Sequence, residues 1–381
     1  MNDIRVTNRM RGLIIDAIDK AKSGHPGGAL SSLDFAYILF TEFLRFDPDD
    51  HSWLGRDRFV LSAGHESMLL YTLLYFQGFL ELDELKNFRQ LHSRTPGHPE
   101  CTLTKGVECT TGPLGQGAAM SVGFAIGSKH LSARLDERLF SQRIWALLGD
   151  GCMQTPVAMG AASIAGHLRL GNLVWYYDRN QVQISGRIDR VTSDRVDQVF
   201  HGFGWNVHEV DAHNHDEIRK MLGQILASDG QKPTLIIGNS VMGRGTFSME
   251  GNKETHGAPL PKDEYEKTRE KLGLPADRKF FVEPEDISHF RRNYERLRKE
   301  VSDWDDYKKR KMGEQAFSRM YRAFFEKRDF TDLPDIAWDR KAPMATRNAF
   351  GTILEQFADH IPNLIGGSAD LDPSNCTSGW V

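Results

Sequence analysis

Two oxygen-bearing side chains, each at the end of an apolar run, set the chemistry open to this chain. Ile144 to Leu148 is a continuous apolar stretch ending in Gly149-Asp150-Gly151, and Leu173 to Tyr177 is a second, ending in Asp178-Arg179-Asn180. Such runs predict central strands of a parallel sheet, covered on both faces. Between them Thr155-Pro156 predicts a helix start, with Thr as N-cap and Pro at the first helical position. That helix carries small residues (Ala158, Gly160, Ala161, Ala162, Ser163, Ala165, Gly166), so a neighbour must pack close against it. Asp150 and Asn180 then lie at the carboxyl ends of two strands, where open parallel sheets bind ligands. One carboxylate, one amide oxygen and the Val182 carbonyl suit a small hard cation that shares its sphere with phosphate oxygens. The glycines flanking Asp150 let a diphosphate approach the backbone. The expectation is a divalent metal holding a diphosphate; without the second strand and its Asn180, the Gly-Asp-Gly triplet reads as an ordinary strand end.

Four of the 14 histidines stand in ligand-facing contexts. His25 lies in Ser23-Gly24-His25-Pro26-Gly27-Gly28, and His98 repeats the pattern in Pro96-Gly97-His98-Pro99. His65 follows a strand at Phe59-Val60-Leu61 and opens a helix, a turn where free N–H groups attract anions. His256 sits in Thr255-His256-Gly257-Ala258-Pro259. Histidines so placed are suited to proton transfer and to hydrogen-bonding sugar hydroxyls near neutral pH. Others, such as His130, His167, His213 and His289, lack this context and read as surface or core residues. Thr110 to Gly117 is glycine-rich but spaced as neither a dinucleotide fingerprint nor a Walker loop. Its backbone is suited to cradling phosphate or leaning on a ring.

These residues need a scaffold, and the periodicity supplies one. Apolar spacing predicts helices at 3–20, 33–46 and 68–76, the last stopped by Gly78. Further strands at 205–210 and 235–238 and a helix at 216–227 complete an α/β fold, a parallel sheet with helices on both faces. Gly243 to Gly251 reads as a mobile loop closing on His256. From Lys262 to about Arg340 the chain is charge-dense, predicting surface helices and a linker. A new unit begins near Ala345: a helix marked by Phe350, Ile353, Leu354 and Phe357, then Leu364 to Asp370 as a strand into a loop. One helix and one strand cannot bury a core, so this tail either docks on the first domain or is continued by a partner. The expected organisation is a diphosphate- and metal-binding domain at 1–315, a linker at 316–343 and the start of a second domain at 344–381.

Composition narrows the function. The chain has 381 residues, 40% hydrophobic and 26% charged, with net charge −4. That is globular, with no polyelectrolyte signal for nucleic acid. No apolar run approaches a membrane span and no signal peptide is evident, while four cysteines (Cys101, Cys109, Cys152, Cys376) form no disulfide framework. A cytoplasmic protein is expected.

Gly149-Asp150-Gly151 followed by Asn180 resembles the thiamine diphosphate motif, and the surrounding text resembles transketolase. Ser-Gly-His-Pro-Gly-Gly at Ser23, Ser-Ala-Gly-His at Ser62, Pro-Gly-His-Pro-Glu at Pro96, Thr-Gly-Pro-Leu-Gly-Gln-Gly at Thr111 and His-Gly-Ala-Pro-Leu at His256 carry the likeness, with Ala-Thr-Arg at Ala345 and Gly-Gly-Ser-Ala-Asp-Leu at Gly366. The resemblance implies the thiamine diphosphate-binding fold and the following roles. Asp150, Asn180 and the Val182 carbonyl hold Mg2+ or Ca2+. His65, Gly112, Pro113, Leu114, Gly151, Asn180 and His256 contact thiamine diphosphate. His25, His98 and His256 contact the sugar and move protons. Arg347 and Ser374 bind the sugar phosphate, and Asp370 lies near a neighbouring subunit's cofactor. The implied reaction moves a two-carbon ketol unit from a ketose phosphate to an aldose phosphate. Two departures stand out. The family's activating glutamate, its pyrimidine platform and its third domain are absent, so a second chain supplying the pyrimidine-binding and C-terminal domains is expected, as a homo- or hetero-oligomer. Thr155, Pro156 and Gly160 stand where the family carries acids linking two active sites. Alternatives are a non-catalytic thiamine diphosphate-binding paralogue or regulatory subunit, and a related ketol transferase such as dihydroxyacetone synthase.

Overall fold

The computed structural model describes residues 2–326 apart from 229, residue 335, and 343–379 apart from 359 and 369. The expected linker at 316–343 therefore lies largely outside the described residues. Two compact units are formed, residues 1–304 and 305–381.

The first unit is built on a five-stranded, all-parallel sheet. Its strands are β1 (Arg58–Leu61), β2 (Ile144–Gly149), β3 (Leu173–Arg179), β6 (Asn206–Asp211) and β7 (Thr234–Asn239), with a two-residue antiparallel ribbon of β4 (Val182–Gln183) and β5 (Gly186–Arg187) following β3. The order is β1-β2-β3-β7-β6: β6 takes the far edge and β7 returns to sit beside β3. All six residues of β2 and the first six of β3 are buried, as expected of strands covered on both faces. Their register pairs Ile144 with Leu173 and Gly149 with Asp178, so both strands end level, and Asp150 and Asn180 leave the same edge.

The helix after β2, Pro156–His167, starts where the sequence places it: the Thr155 hydroxyl accepts from the Ala158 N–H and Pro156 occupies the first turn. Its small residues do admit a close neighbour. A Cβ on Gly166 would run into the Phe203 carbonyl oxygen and lie 2.9 Å from its carbon, and the Trp205 indole N–H donates to the Ala162 carbonyl at 2.8 Å. Trp175 of β3 is sealed beneath Trp205 and Phe200, ring centroids 4.9 and 5.9 Å away. The amino-terminal helix Asp3–Ala21 buries one apolar face. The helix expected at 33–46 is α-helical only over Leu33–Ile38, then widens into a π-type turn, Leu39–Phe43.

The Gly243–Gly251 stretch is pinned rather than loose. The Gly243 N–H donates to the Gly27 carbonyl at 3.0 Å, Thr246 to Gly243 at 3.1 Å, and Gly251 to Met242 at 2.8 Å.

In the second unit, helices run over Gln315–Phe325 and Thr346–Phe357, with a short turn of helix at Asp372–Asn375. Leu364 to Asp370 is expected to run from a strand into a loop, and no strand is formed there among the described residues. A strand needs a ladder, and the described residues of this unit offer none; Ile365 is 53% exposed.

Candidate active site

The site begins with a buried carboxylate. Asp150 opens a four-residue helix, Asp150–Met153, directly off β2, and is only 3% exposed. One oxygen accepts from the Tyr177 hydroxyl; the other, Oδ2, is buried without a partner. Burial, with the Asp178 charge adding to it against the Tyr177 hydrogen bond, pushes this carboxyl up to about 7. Asp178, fully buried at the end of β3, is by contrast saturated. Ser31 donates to it at 2.6 Å, Asn180 Nδ2 at 2.7 Å, and Ser240 as well. It thereby fixes the Asn180 amide, whose Oδ1 accepts the Val182 N–H at 3.0 Å and turns the chain into β4.

Asp150, Asn180 and Val182 share one cleft of about 420 Å³ with His25, His65, His256, Gly112, Leu114 and Gly151. His65 and His256 lie 5.2 Å apart, ring centre to ring centre; His25 is 5.3 Å from His65, 6.0 Å from His256 and 6.4 Å from His98. Burial lowers all four: His25 to about 4, His65 to about 3, with His98 and His256 also below the usual range. At neutral pH they are uncharged rings, each able to donate from one nitrogen and accept at the other. The glycines earn their places by sterics. A Cβ on Gly151 would lie 2.7 Å from Leu114 Cδ1, so the 112–115 loop folds down over the Asp150 turn. Gly115, at φ +82°, then starts the helix Gln116–Arg134.

The donors fit a hard divalent cation shared with a diphosphate. The buried, unpartnered Asp150 Oδ2 could serve as its anionic ligand, and Asn180 and Val182 line the same cleft, where they could add neutral oxygens. Among the described residues no group of three or more His, Cys, Asp or Glu side chains could hold a metal alone. These donors could form only part of a coordination sphere, the remainder falling to a bound ligand.

Of the expected residues, His98 and Pro113 do not line the cleft itself, although a Cβ on Gly112 would come within 3.4 Å of the His98 ring. Arg347 lies in the first turn of the Thr346–Phe357 helix, Ser374 in the Asp372–Asn375 turn and Asp370 just before it at φ +114°, all in the second unit. Sequence reasoning passed over Glu66 and Asp178. Glu66 lines the cleft at 1% exposure with Oε2 unpartnered, raised well above its ordinary range by burial and by Asp178. Its only signal was its place immediately after His65, in a strand-to-helix turn. Gly28 leaves room for it: a Cβ there would lie 2.5 Å from Glu66 Oε1.

Comparison with known proteins agrees with this geometry. The transketolase, thiamine diphosphate binding domain family matches residues 2–323. A transketolase of Halalkalibacterium halodurans is 39% identical over 97% of this chain and 56% of its own length, and one of Geobacillus stearothermophilus is 41% identical over 97% and 56%. A Campylobacter jejuni transketolase structure superposes with TM-score 0.92 at 37% identity, covering 99% of this chain and 59% of that one. A Pichia stipitis transketolase in complex with sedoheptulose 7-phosphate gives 0.93 at 34%, covering 99% and 57%. The chain spans a little over half the length of the curated relatives it matches. No helix among the described residues is long and apolar enough to cross a membrane. On its sheet order, its motifs and these matches, the chain belongs to the transketolase family, by way of that family's thiamine diphosphate-binding domain.

Proposed function

We propose that this chain binds thiamine diphosphate with Mg2+ or Ca2+ in the 420 Å³ cleft and serves two-carbon ketol transfer between sugar phosphates. The carrying observation is the buried, unpartnered Oδ2 of Asp150, set in the same cleft as three neutral histidines. Asp150, Asn180 and the Val182 carbonyl would hold the cation. His65, Gly112 to Leu114, Gly151 and His256 would hold the cofactor's diphosphate and ring. When bound, thiamine diphosphate supplies an electron sink for a carbanion. The chain's own work is then to bind, orient and handle protons. His25, His98 and His256, uncharged at neutral pH, can each hydrogen-bond a sugar hydroxyl, and a ring that accepts a proton there can return it later. Arg347, as a guanidinium, and Ser374 suit a sugar phosphate, and Asp370 is assigned to the cofactor side of a neighbouring subunit.

We assign residues 1–315 to the diphosphate-binding domain, 316–343 to a linker and 344–381 to the start of the pyrimidine-binding domain, the rest coming from a second chain in a dimeric assembly. An exposed face supports association: Val157 and Ile164 on the helix Pro156–His167, Leu168 at its C-cap and Met120 on the neighbouring helix Gln116–Arg134 are 37–52% exposed, with Gly123, Gly127 and Gly160 on the same helices, around which space is open. The test is reconstitution. The chain mixed with a transketolase carboxyl-terminal half, thiamine diphosphate and Mg2+ should transfer a two-carbon unit from a ketose phosphate to an aldose phosphate. No transfer from any ketose, with the cofactor bound, would favour the second reading, a cofactor-binding but non-catalytic chain. That reading is favoured by the residues at the helix start, where Thr155 spends its hydroxyl on capping and Pro156 fills the next position.

Cation binding should depend on pH in a defined sense. Asp150 must be ionised to ligate, and its folded-state value is about 7. Below that value protons compete, so Mg2+ affinity should rise ~10-fold per pH unit between about 5 and 7 and level off above. Titration calorimetry at pH 5.5, 6.5 and 7.5 with thiamine diphosphate present reads this directly, along with the proton released. A flat profile would show that Asp150 is already ionised across this range or does not ligate, and Asp150→Asn distinguishes the two.

A further inference from the structure

Arg89 belongs to none of the motifs above, yet it is built into the histidine cluster. Its backbone sits at φ +59°, with its N–H on the Thr95 carbonyl at 3.0 Å. Its guanidinium then reaches across to the 23–28 loop, where Nη1 donates to the Ser23 hydroxyl at 2.7 Å and Nη2 lies 3.3 Å from His25 Nδ1. The third guanidinium nitrogen, Nε, is buried with no partner of its own. Gly97 makes the space: a Cβ there would lie 2.9 Å from Arg89 Nε and 3.1 Å from Cζ. The ring of Phe88 underlies the cation at 5.4 Å.

A guanidinium donates and never accepts. Nδ1 of His25, facing Nη2, must therefore be the bare, accepting nitrogen, and the ring proton must sit on Nε2. We propose that Arg89 is the positioning residue of His25, holding it as the Nε2–H tautomer so that it presents a hydrogen-bond donor, not a base, to the cleft. Nε2 faces the His256–Gly257 turn, where a Cβ on Gly257 would stand 3.6 Å from it, an ordinary contact distance. The titratable and charged groups facing His25 are Arg89 and the rings of His65, His98 and His256, and among the described residues no carboxylate hydrogen-bonds to it. Nothing nearby favours a second proton on the ring. Under the ketol-transfer reading, on which this consequence rests, His25 would donate to a sugar oxygen, and proton abstraction would fall to His98 or His256. The tautomer itself needs no cofactor.

Long-range 15N–1H correlation on the full chain labelled in histidine tests this, with His25 assigned by the signal lost in His25→Gln. At pH 7 the wild-type ring should show a proton-bearing Nε2 and a bare Nδ1. Arg89→Met should mix the two tautomers and move the His25 titration midpoint upward, while Arg89→Lys, which keeps a charged donor, should restore both. A wild-type His25 with its proton on Nδ1 overturns the proposal even if no variant folds. So does an Arg89→Met protein, folded by its amide spectrum, in which His25 is unchanged. Failure of thiamine diphosphate to bind would strike the proposed function and leave this result standing.

Discussion

Asp150→Asn should move binding and stability in opposite directions. In the apo chain the Asp150 carboxylate is buried, one oxygen has no partner, and its folded value of about 7 lies above the ordinary 3.8. A raised carboxyl costs nothing below its unfolded value, where both states are protonated. The penalty grows as pH climbs from about 4 to about 7 and is constant above. At pH 7.5 it amounts to ~3–4 kcal/mol. Asparagine keeps the volume and the contact with Tyr177 and cannot ionise, so the variant should be more stable than wild type at pH 7.5 by a good part of that amount and level with it near pH 4. Cation-dependent affinity for thiamine diphosphate should meanwhile fall by at least ~100-fold, since outer-shell partners of a metal alone are worth ~10–100-fold. Urea unfolding at the two pH values and calorimetry with Mg2+ read the two halves. A variant that binds as well as wild type would dissolve the metal–diphosphate assignment, whatever its stability.

The second large effect is purely structural. Gly166 lies on the helix Pro156–His167, with its Cα against the backbone of Phe203. A methyl group there would overlap the Phe203 carbonyl oxygen, and Phe203 cannot retreat easily. Two residues on, Trp205 is 2% exposed and tethered to the Ala162 carbonyl of the same helix. Gly166→Ala should cost ~3 kcal/mol or more, at the upper end of overpacking effects. In the unassembled chain Gly160→Ala, six residues earlier in the same helix, faces open space and should stabilise by ~0.5–1 kcal/mol. Thermal or urea unfolding of the pair makes the comparison internal, since helix propensity favours alanine at both sites. Equal responses would mean that the helix does not sit on Phe203 in solution.

Much of this architecture could be read from side-chain pattern alone. The β2 and β3 runs had no polar interruption, so their burial on both faces was dictated, and Thr155-Pro156 and Gly78 marked helix ends by backbone chemistry that tertiary context did not override. Asp150 and Asn180 were legible because each follows such a run, and His25, His65 and His256 because glycine and proline leave a loop histidine little packing of its own. What stayed hidden was of two kinds. Glu66, Asp178 and Arg89 act through partners far away in sequence: Asp178 is defined by Ser31 and Ser240, Arg89 by Ser23, and no local spacing announces such meetings. Leu364 to Asp370 failed for the opposite reason. Leu364 and Ile365 could open a strand, but a strand exists only where another strand accepts it.

Gly27 carries a final implication. It lacks a side chain because the Met242 sulfur and the Thr255 carbonyl occupy that space, and its own carbonyl receives the Gly243 N–H. The stretch bearing His25 and the stretch bearing His256 are therefore buttoned together. Neither backbone stretch can lift outward alone, so any opening of that wall by main-chain movement must carry both as one flap.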